Sequence, residues 1–399
     1  MQKVVAVLGG GIGGLSACHH LSKCPNVSKI VLLEKSGRCG GWLSTIRRDD
    51  GAVFEQGPRG VRPAGAVGRN TLNLVSELGL ESEILPVTKD HVASKNRFLY
   101  VKGQLHKMPS GPGGVIRTIP PFSRPIIQSV LKEMLIRKGT EEDESVHAFV
   151  SRRLGSELAD VVIDSLCRGV FAGDSRQLSV RSCFPPLYEA ERSRGSIVLG
   201  MLMGSGEGAE GPVELASVLP PAAQPLSEQL RSIASVNVAV VNLEYEGFIL
   251  PVTGFGHLVP SSEDPGLLGV VYDSVPFPQH NRSGGLTTRL TVMMGGAWFE
   301  QTFGHPDSVT KQTLLDRATQ AVTSHLGVNS QPVWSCVALH KNCIPQYHLG
   351  HWKRLEKMRQ YISNHNLPLT LAGASYDGVS VNDVIFSGRT AAEGLIGKT

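Results

Sequence analysis

The stretch "KVVAVLGGGIGGLSACHHL", residues 3–21, constrains the fold more than any other. An apolar run, Val4 to Leu8, passes directly into glycines at 9, 11 and 14, and a helical pattern follows. A strand that meets G-x-G-x-x-G and turns at once into a helix is the start of a βαβ nucleotide unit. Gly9 permits the sharp turn, Gly11 lets the backbone approach a pyrophosphate, and Gly14 packs helix on strand. The helix N-terminus supplies unpaired N–H groups and a positive dipole for the phosphates. A second apolar run, "IVLLE", closes on Glu34, twenty residues beyond Gly14, where a carboxylate accepts the hydroxyls of a ribose. A merely glycine-rich turn needs neither the flanking elements nor the acid, so the pattern points to a dinucleotide.

Composition sets wider bounds. At 399 residues the chain is long enough for two or three domains with a large buried core. With 41% hydrophobic and 19% charged residues it reads as a loop-rich globular α/β protein. A net charge of +4 does not imply nucleic acid, yet between His91 and Lys138 nine Lys and Arg face one acid, Glu133. That local +8 predicts an anionic surface or ligand. Seven cysteines without a C-x-x-C pair imply neither a disulfide framework nor a zinc site. No cleavable presequence is expected, because the first strand begins at Val4. No run reaches the roughly 18 apolar residues of a membrane span, so membrane contact is expected to be peripheral.

Further along, "PPFSRPIIQSVLKEMLIRKG" places Ile127, Val130, Leu131, Met134 and Leu135 on one helical face, with Lys132, Arg137 and Lys138 elsewhere. The face suits either the core of a small helical domain or a membrane surface. Helical patterns recur at Val146, Phe149, Val150 and Leu154, and at Leu158, Val161, Val162 and Leu166. Residues 204–229 read as a linker, and "VAVVNLEYEG", "LGVVYDS" and "TRLTVMMGGAW" as strands of a mixed sheet. No metal or nucleophile constellation emerges. His19 and His20 sit on the first helix, and His340, His348 and His351 are scattered.

The stretch after Glu34, "KSGRCGGWLSTI", with Arg38, Gly40, Gly41 and Ser44 or Thr45, resembles the R-x-G-G-x-x-[S/T] segment of the flavin amine oxidase superfamily. The tail, "LTLAGASYDGVSVNDVIFSGRTAAEGL", reads as strand, loop and helix and resembles that superfamily's closing motif, in which a helix N-terminus faces the flavin ring. Three such pieces imply FAD rather than NAD. With "FEQGPRGVRPAG", "NRFLYV", "DSLCRGVFAGDSRQLSVRSCFP" and "GFGHLVPSSEDPG" added, the chain resembles the animal oxygen-dependent protoporphyrinogen oxidases from end to end.

That resemblance implies an FAD oxidase of haem biosynthesis that takes six electrons from protoporphyrinogen IX and passes them to O2 as hydrogen peroxide. It implies a monotopic protein of the mitochondrial inner membrane, with a homodimer and a ferrochelatase contact among its partners. By motif match, Gly9, Gly10, Gly11, Ile12, Gly13, Gly14, Glu34, Lys35, Trp42, Gly57, Pro58, Arg59, Gly60, Ala374, Val379, Ser380 and Val381 contact FAD. Arg59, Arg97, Phe255, Gly256, Leu258, Val271 and Met293 line the porphyrinogen site. A flat macrocycle with two propionates wants apolar walls and an arginine or two, although Arg59 and Arg97 read equally as solvated or pyrophosphate-facing. Arg168 reads as a tie between loops.

The implied architecture combines α/β and α+β. A Rossmann-type FAD-binding domain occupies residues 1–90 and 366–399, a basic helical membrane-binding insertion 91–204, a shortened linker 205–229, and a mixed-sheet substrate domain 230–365. Family members carry several dozen further residues where this chain has only "EGAEGP", including strands of the FAD sheet. Their loss predicts an unpaired edge and uncovered apolar surface. Two alternatives stay open: another FAD oxidase of an amine or CH–NH substrate, and a shortened, catalytically weak form acting as a membrane-bound partner.

Overall fold

The computed structural model describes residues 2–197, 219 and 223–397. The N-terminal part contains β1 (Lys3–Leu8), α1 (Ile12–Ser22), β2 (Val27–Leu33), β3 (Thr45–Arg47), β4 (Val53–Glu55) and α2 (Gly65–Glu77). Next come β5 (Phe98–Val101), β6 (Gln104–Lys107), α3 (Ile126–Glu133), α4 (Val146–Leu154), α5 (Asp164–Phe171) and α6 (Gln224–Arg231). The chain continues with β7 (Ser235–Glu246), β8 (Gly256–Leu258), β9 (Leu267–Val271), β10 (Thr287–Gly296) and α7 (Lys311–Leu326). It ends with β11 (Trp334–Pro345), α8 (His351–Asn364) and α9 (Val381–Ile396).

Three sheets form among the described residues, and the largest has seven strands in the order β11-β7-β10-β9-β8-β5-β6. All its pairings are antiparallel except β5 with β8. Its central strands are buried on both faces, as β-branched runs such as "VAVV" and "LGVV" require. One face packs Leu290, Val292 and Met294 on Leu314, Ala318 and Ala321 of α7. The β5–β6 hairpin joins this sheet although it lies within the block read as a helical insertion. "FLYV" is a short apolar strand beside a two-residue turn, and the surrounding basic charge masks it.

The nucleotide unit contrasts with it. β1 and β2 pair in parallel as a two-stranded sheet. α1 covers one face, and α9 packs on α1 through glycine, since a Cβ at Gly388 would lie 2.3 Å from the Gly13 carbonyl oxygen. Ser16 donates to the Ile385 carbonyl (2.7 Å) and Lys3 to the Leu395 carbonyl (2.6 Å). The other face carries Val4, Leu8 and Leu33 at 66%, 51% and 53% exposure. This is the uncovered apolar surface that the shortened middle predicts.

The strand expected at the start of the tail is corrected. Leu369–Ala372 has no strand structure, because an extended segment with no neighbouring strand has nowhere to place its N–H and C=O groups in a ladder. Leu369 and Leu371 pack instead on Leu226, Leu355 and Met358. Most of the linker read across 205–229 falls outside the described residues. Its last residues belong to α6, whose Leu226 and Leu230 lie one turn apart and are fully buried.

In the insertion, α4 and α5 share a core of Val146, Phe149, Val150, Cys167 and Phe171. A five-residue π turn, Ala159–Ile163, precedes α5. The apolar face of α3 does not join that core, and Leu131, Met134 and Leu135 stay exposed. What α3 buries is Glu133, paired with the buried Arg153 and accepting from the Ser196 hydroxyl (2.6 Å) and the Ile197 N–H (2.8 Å).

Candidate functional site

The glycine loop is built for close approach. Gly14 has no room for a side chain, since a Cβ there would lie 2.0 Å from the Gly9 carbonyl oxygen. At Gly9 and Gly11 a Cβ would meet nothing within 4 Å, so the space above the loop is open to a ligand. Ile12 and Gly13 begin α1, whose first turn holds no acid and whose cap, Gly11, offers no side chain. The orphan N–H groups of that turn are the donors a pyrophosphate takes.

Glu34 lies beside the loop, accepting from the Gly10 N–H (2.6 Å) and the Ser36 N–H (2.7 Å). These bonds hold its carboxyl down at about 2, the Ser36 contact contributing most and Gly10 next. An ionised carboxylate with two bonds accepted retains lone pairs for ribose hydroxyls. Lys35 is exposed just beyond.

A second glycine turn closes on the first. The Gly40 N–H donates to the Gly10 carbonyl (2.8 Å), and Gly41 packs on the Cα of Gly11. Arg38 spends its guanidinium on this turn, donating to the carbonyls of Cys39, Leu43 and Gly41. It organises the loop and leaves ligand contact to the backbone. Gly57 sits where a Cβ would lie 1.9 Å from the Trp42 carbonyl oxygen, which explains the glycine. Trp42 stands edge-on to His340 (5.2 Å), and His340 holds the Gln56 carbonyl (2.6 Å). Pro58 and Gly60 are exposed on either side of Arg59.

The closing segment is organised by Tyr347, which its spacing in the sequence does not reveal. Its hydroxyl donates to the Ala374 carbonyl and accepts from the Gly378 N–H, both at 2.8 Å. Its ring stacks on His351, which in turn bonds the Tyr376 carbonyl (2.8 Å). Ser380 and Asp383 form a reciprocal capping box at the start of α9, leaving the N–H groups of Val381 and Asn382 as orphan donors. Burial raises the Asp383 carboxyl above its ordinary value. A cavity of 470 Å³ opens here, walled by Val379, Ser380, Tyr347, Phe171, Phe184 and the start of α2.

Four of the candidate substrate residues, Gly256, Leu258, Val271 and Met293, share one face of the large sheet. Register pairs Gly256 with Val271, Leu258 with Gly269, and Gly269 with Met293. Val271 is buried, Met293 half-buried and Phe255 exposed. Arg97, just ahead of β5, lies with its guanidinium 5.9 Å from the centre of the Phe255 ring. Arg59 reaches the same region and pairs with Asp273 (2.6 Å), two residues past Val271. Asp273 also accepts from Thr291 (2.6 Å). One Arg59 nitrogen, Nη2, is buried without a hydrogen-bond partner in the described structure, a donor left for an anionic group. Arg168 lies outside this wall, donating to the carbonyls of Val259, Asp264, Pro265 and Leu267. It ties loops together, as its sequence position suggests.

These features fit a flavin dinucleotide at its pyrophosphate and closing-helix ends: open glycine positions, uncapped helix donors and an ionised ribose acceptor. The family model described as flavin containing amine oxidoreductase matches residues 12–215 and 211–396. The human protein named protoporphyrinogen oxidase is 47% identical over 474 aligned positions, covering 100% of this chain and 99% of that protein. A Schizosaccharomyces pombe protein of the same name is 30% identical, covering 98% of each. Since this chain has 399 residues, the human alignment leaves at least 75 positions without a counterpart here. A solved Exiguobacterium sp. 255-15 protein, provisionally named a protoporphyrinogen oxidase, has TM-score 0.77 at 21% identity, covering 100% of both chains. At that identity the likeness speaks for the fold.

Proposed function

The chain belongs to the flavin containing amine oxidoreductase family, and on that premise we propose that it oxidises protoporphyrinogen IX to protoporphyrin IX with O2 as acceptor. The observation that carries this reading is the full-length likeness to relatives named for that reaction. The site agrees with it. A flat apolar macrocycle suits the Phe255, Leu258, Val271 and Met293 wall, and a propionate suits the unpaired Nη2 of Arg59.

FAD, when bound, supplies the redox chemistry, taking six electrons in three two-electron oxidations that end as hydrogen peroxide. The protein's own part is binding and orientation. The glycine loop and α1 would hold the pyrophosphate, Glu34 the ribose, and the start of α9 the ring end. Asp273 fixes the Arg59 guanidinium in place. The test is fluorescent porphyrin formed from porphyrinogen under air, above the autoxidation blank; its absence from flavin-loaded protein overturns the reading.

A second reading, a catalytically weak form, is favoured by the bare face of β1–β2 beneath the glycine loop's own strand. Each 1.4 kcal/mol of lost support weakens FAD tenfold. Flavin per chain after gel filtration separates the two readings, near one for the oxidase and near zero for the weak form.

Attachment to the mitochondrial inner membrane as a monotopic protein belongs to the same proposal. No described helix is long and apolar enough to cross a bilayer. On α3 and just beyond it, exposed Leu131, Met134 and Leu135 lie beside exposed Lys132, Arg137 and Lys138, with Ile116 exposed nearby. The Glu133–Arg153 pair holds this helix from beneath. Flotation with anionic liposomes, weakened by high salt and by charge reversal at 132, 137 and 138, is the expected result; unchanged partition refutes it. A homodimer and a ferrochelatase contact rest on the likeness and are checked by light scattering and by titration with purified ferrochelatase.

A further inference from the structure

β8 is three residues long, yet it carries part of the substrate wall inside a seven-stranded sheet, between β9 and β5. Gly256 and Leu258 pair with Val271 and Gly269, and by strand alternation the residue between them, His257, points to the opposite face. Gly256 contributes no side chain and admits none. Its φ is +150°, and a Cβ would lie 2.2 Å from the Val270 carbonyl oxygen. The grip on this strand from beneath therefore falls to one imidazole.

That imidazole is fully engaged. His257 is 2% exposed, with Nδ1 2.8 Å from the Tyr272 hydroxyl and Nε2 3.0 Å from Nδ1 of His325. Tyr272 follows β9, and its N–H donates to the Phe255 carbonyl (2.9 Å), so the two segments are joined by backbone and side chain together. His325, from the end of α7, stacks on Tyr100 of β5 with ring centres 3.4 Å apart. Strands β5, β8 and β9 and helix α7 thus meet at His257. Either proton order joins the three groups with neutral rings, and the one that also uses the Tyr272 O–H has it donating to Nδ1 while the His257 Nε2–H donates to His325. Both rings are neutral in it, as burial favours.

We propose that His257 is a positioning residue, holding Phe255, Gly256 and Leu258 at the porphyrinogen wall through its bonds to Tyr272 and His325. The inference depends on the substrate reading above for what that wall faces, and on the hydrogen-bond geometry for how it is held.

The test uses the flavin-loaded full chain. His257→Leu removes both bonds at nearly constant volume, and KM for protoporphyrinogen is expected to rise about tenfold, with kcat changed less than threefold and bound flavin unchanged. His257→Gln, whose amide nitrogen reaches the Nε2 position, restores the bond to His325 and brings KM back to within about threefold. Hydrogen exchange of the 255–258 amides, which needs no turnover, is expected to quicken about tenfold in His257→Leu. Should that variant fail to fold, Tyr272→Phe deletes only the hydroxyl and is expected to raise KM about threefold. Wild-type KM in every folded variant, or unaltered exchange at 255–258 in His257→Leu, overturns the proposal. A wild-type chain that binds flavin but oxidises no porphyrinogen overturns the substrate reading instead, and with it the wall that His257 is said to serve.

Discussion

The large sheet and the small one are made of similar residues and live under different conditions. β7 and β10 are enclosed by neighbouring strands, by α7 and by the β3–β4 hairpin, whose Arg48 reaches the buried Glu244 of β7 and whose Val53 carbonyl accepts from Arg289 of β10. β1 and β2 have equally apolar sequences, yet Val4, Leu8 and Leu33 face outward with little packed over them. Hydrophobicity in a strand records the burial it was selected for, which need not be the burial it has. The nucleotide loop stands on the poorer of the two platforms, and α9 compensates by clamping α1 from the other side.

Substitutions and conditions sort by platform. The largest effect is expected from Leu290→Ala, which empties a fully buried position in the large sheet and costs about 4 kcal/mol, read by urea denaturation. A loss below ~1 kcal/mol removes the claimed difference between the sheets. Acid comes next. His257 and His325 are held down at about 3 and about 4, burial being the main cause for both. Unfolded, each takes its proton near 6.5, so the unfolded state binds more protons and stability is lost as pH falls from about 6.5 through about 4 and on to about 3. The groups bearing on this pair are Tyr272 and Tyr100, with Asp264 and Arg317 facing His325. In the nucleotide unit Glu34 and Glu77 sit at about 2, so acid reaches those two carboxylates only below about 4.5, while burial lowers His20 of α1 from its ordinary value. Hydrogen exchange followed peptide by peptide against pH should show the large sheet loosening first; simultaneous loosening contradicts the assignment.

Two smaller effects belong to the nucleotide unit. Gly388→Val drives a side chain into the Gly13 carbonyl and is expected to cost about 2 kcal/mol and most of the bound flavin. Retention of full flavin would mean that the clamp is dispensable. The smallest effect is the sharpest contrast with Leu290: replacing Val4, Leu8 and Leu33 together by Thr is expected to change stability by within ~0.5 kcal/mol while lowering aggregation in light scattering.

Much of this was legible in the residues. The glycine loop, Glu34 and the three long apolar strands announce themselves by period and by punctuation, because the physics that makes them is local. The tail strand is not legible for the complementary reason: "LTLA" has strand composition, but a strand also needs a neighbour, and no local pattern reports one. Asp273 under Arg59, Tyr347 under Ala374, and His340 and His351 on loop carbonyls are partners across 214, 27, 284 and 25 residues. Spacing carries no trace of such contacts. For the same reason histidines that look scattered in sequence turn out to hold the cofactor loops. The shortened middle was legible only against a family pattern, since a deletion leaves no residue to read.

The bond from Lys3 to the carbonyl of Leu395 joins positions 392 residues apart. At roughly 5–20 residues per second, a ribosome takes about 20–80 s between synthesising one and the other. The glycine loop is thus among the first segments to leave the exit tunnel and among the last to acquire its full set of neighbours. For most of synthesis β1 and β2 present both faces to solvent. The opening strand of this fold is therefore completed by its closing helix.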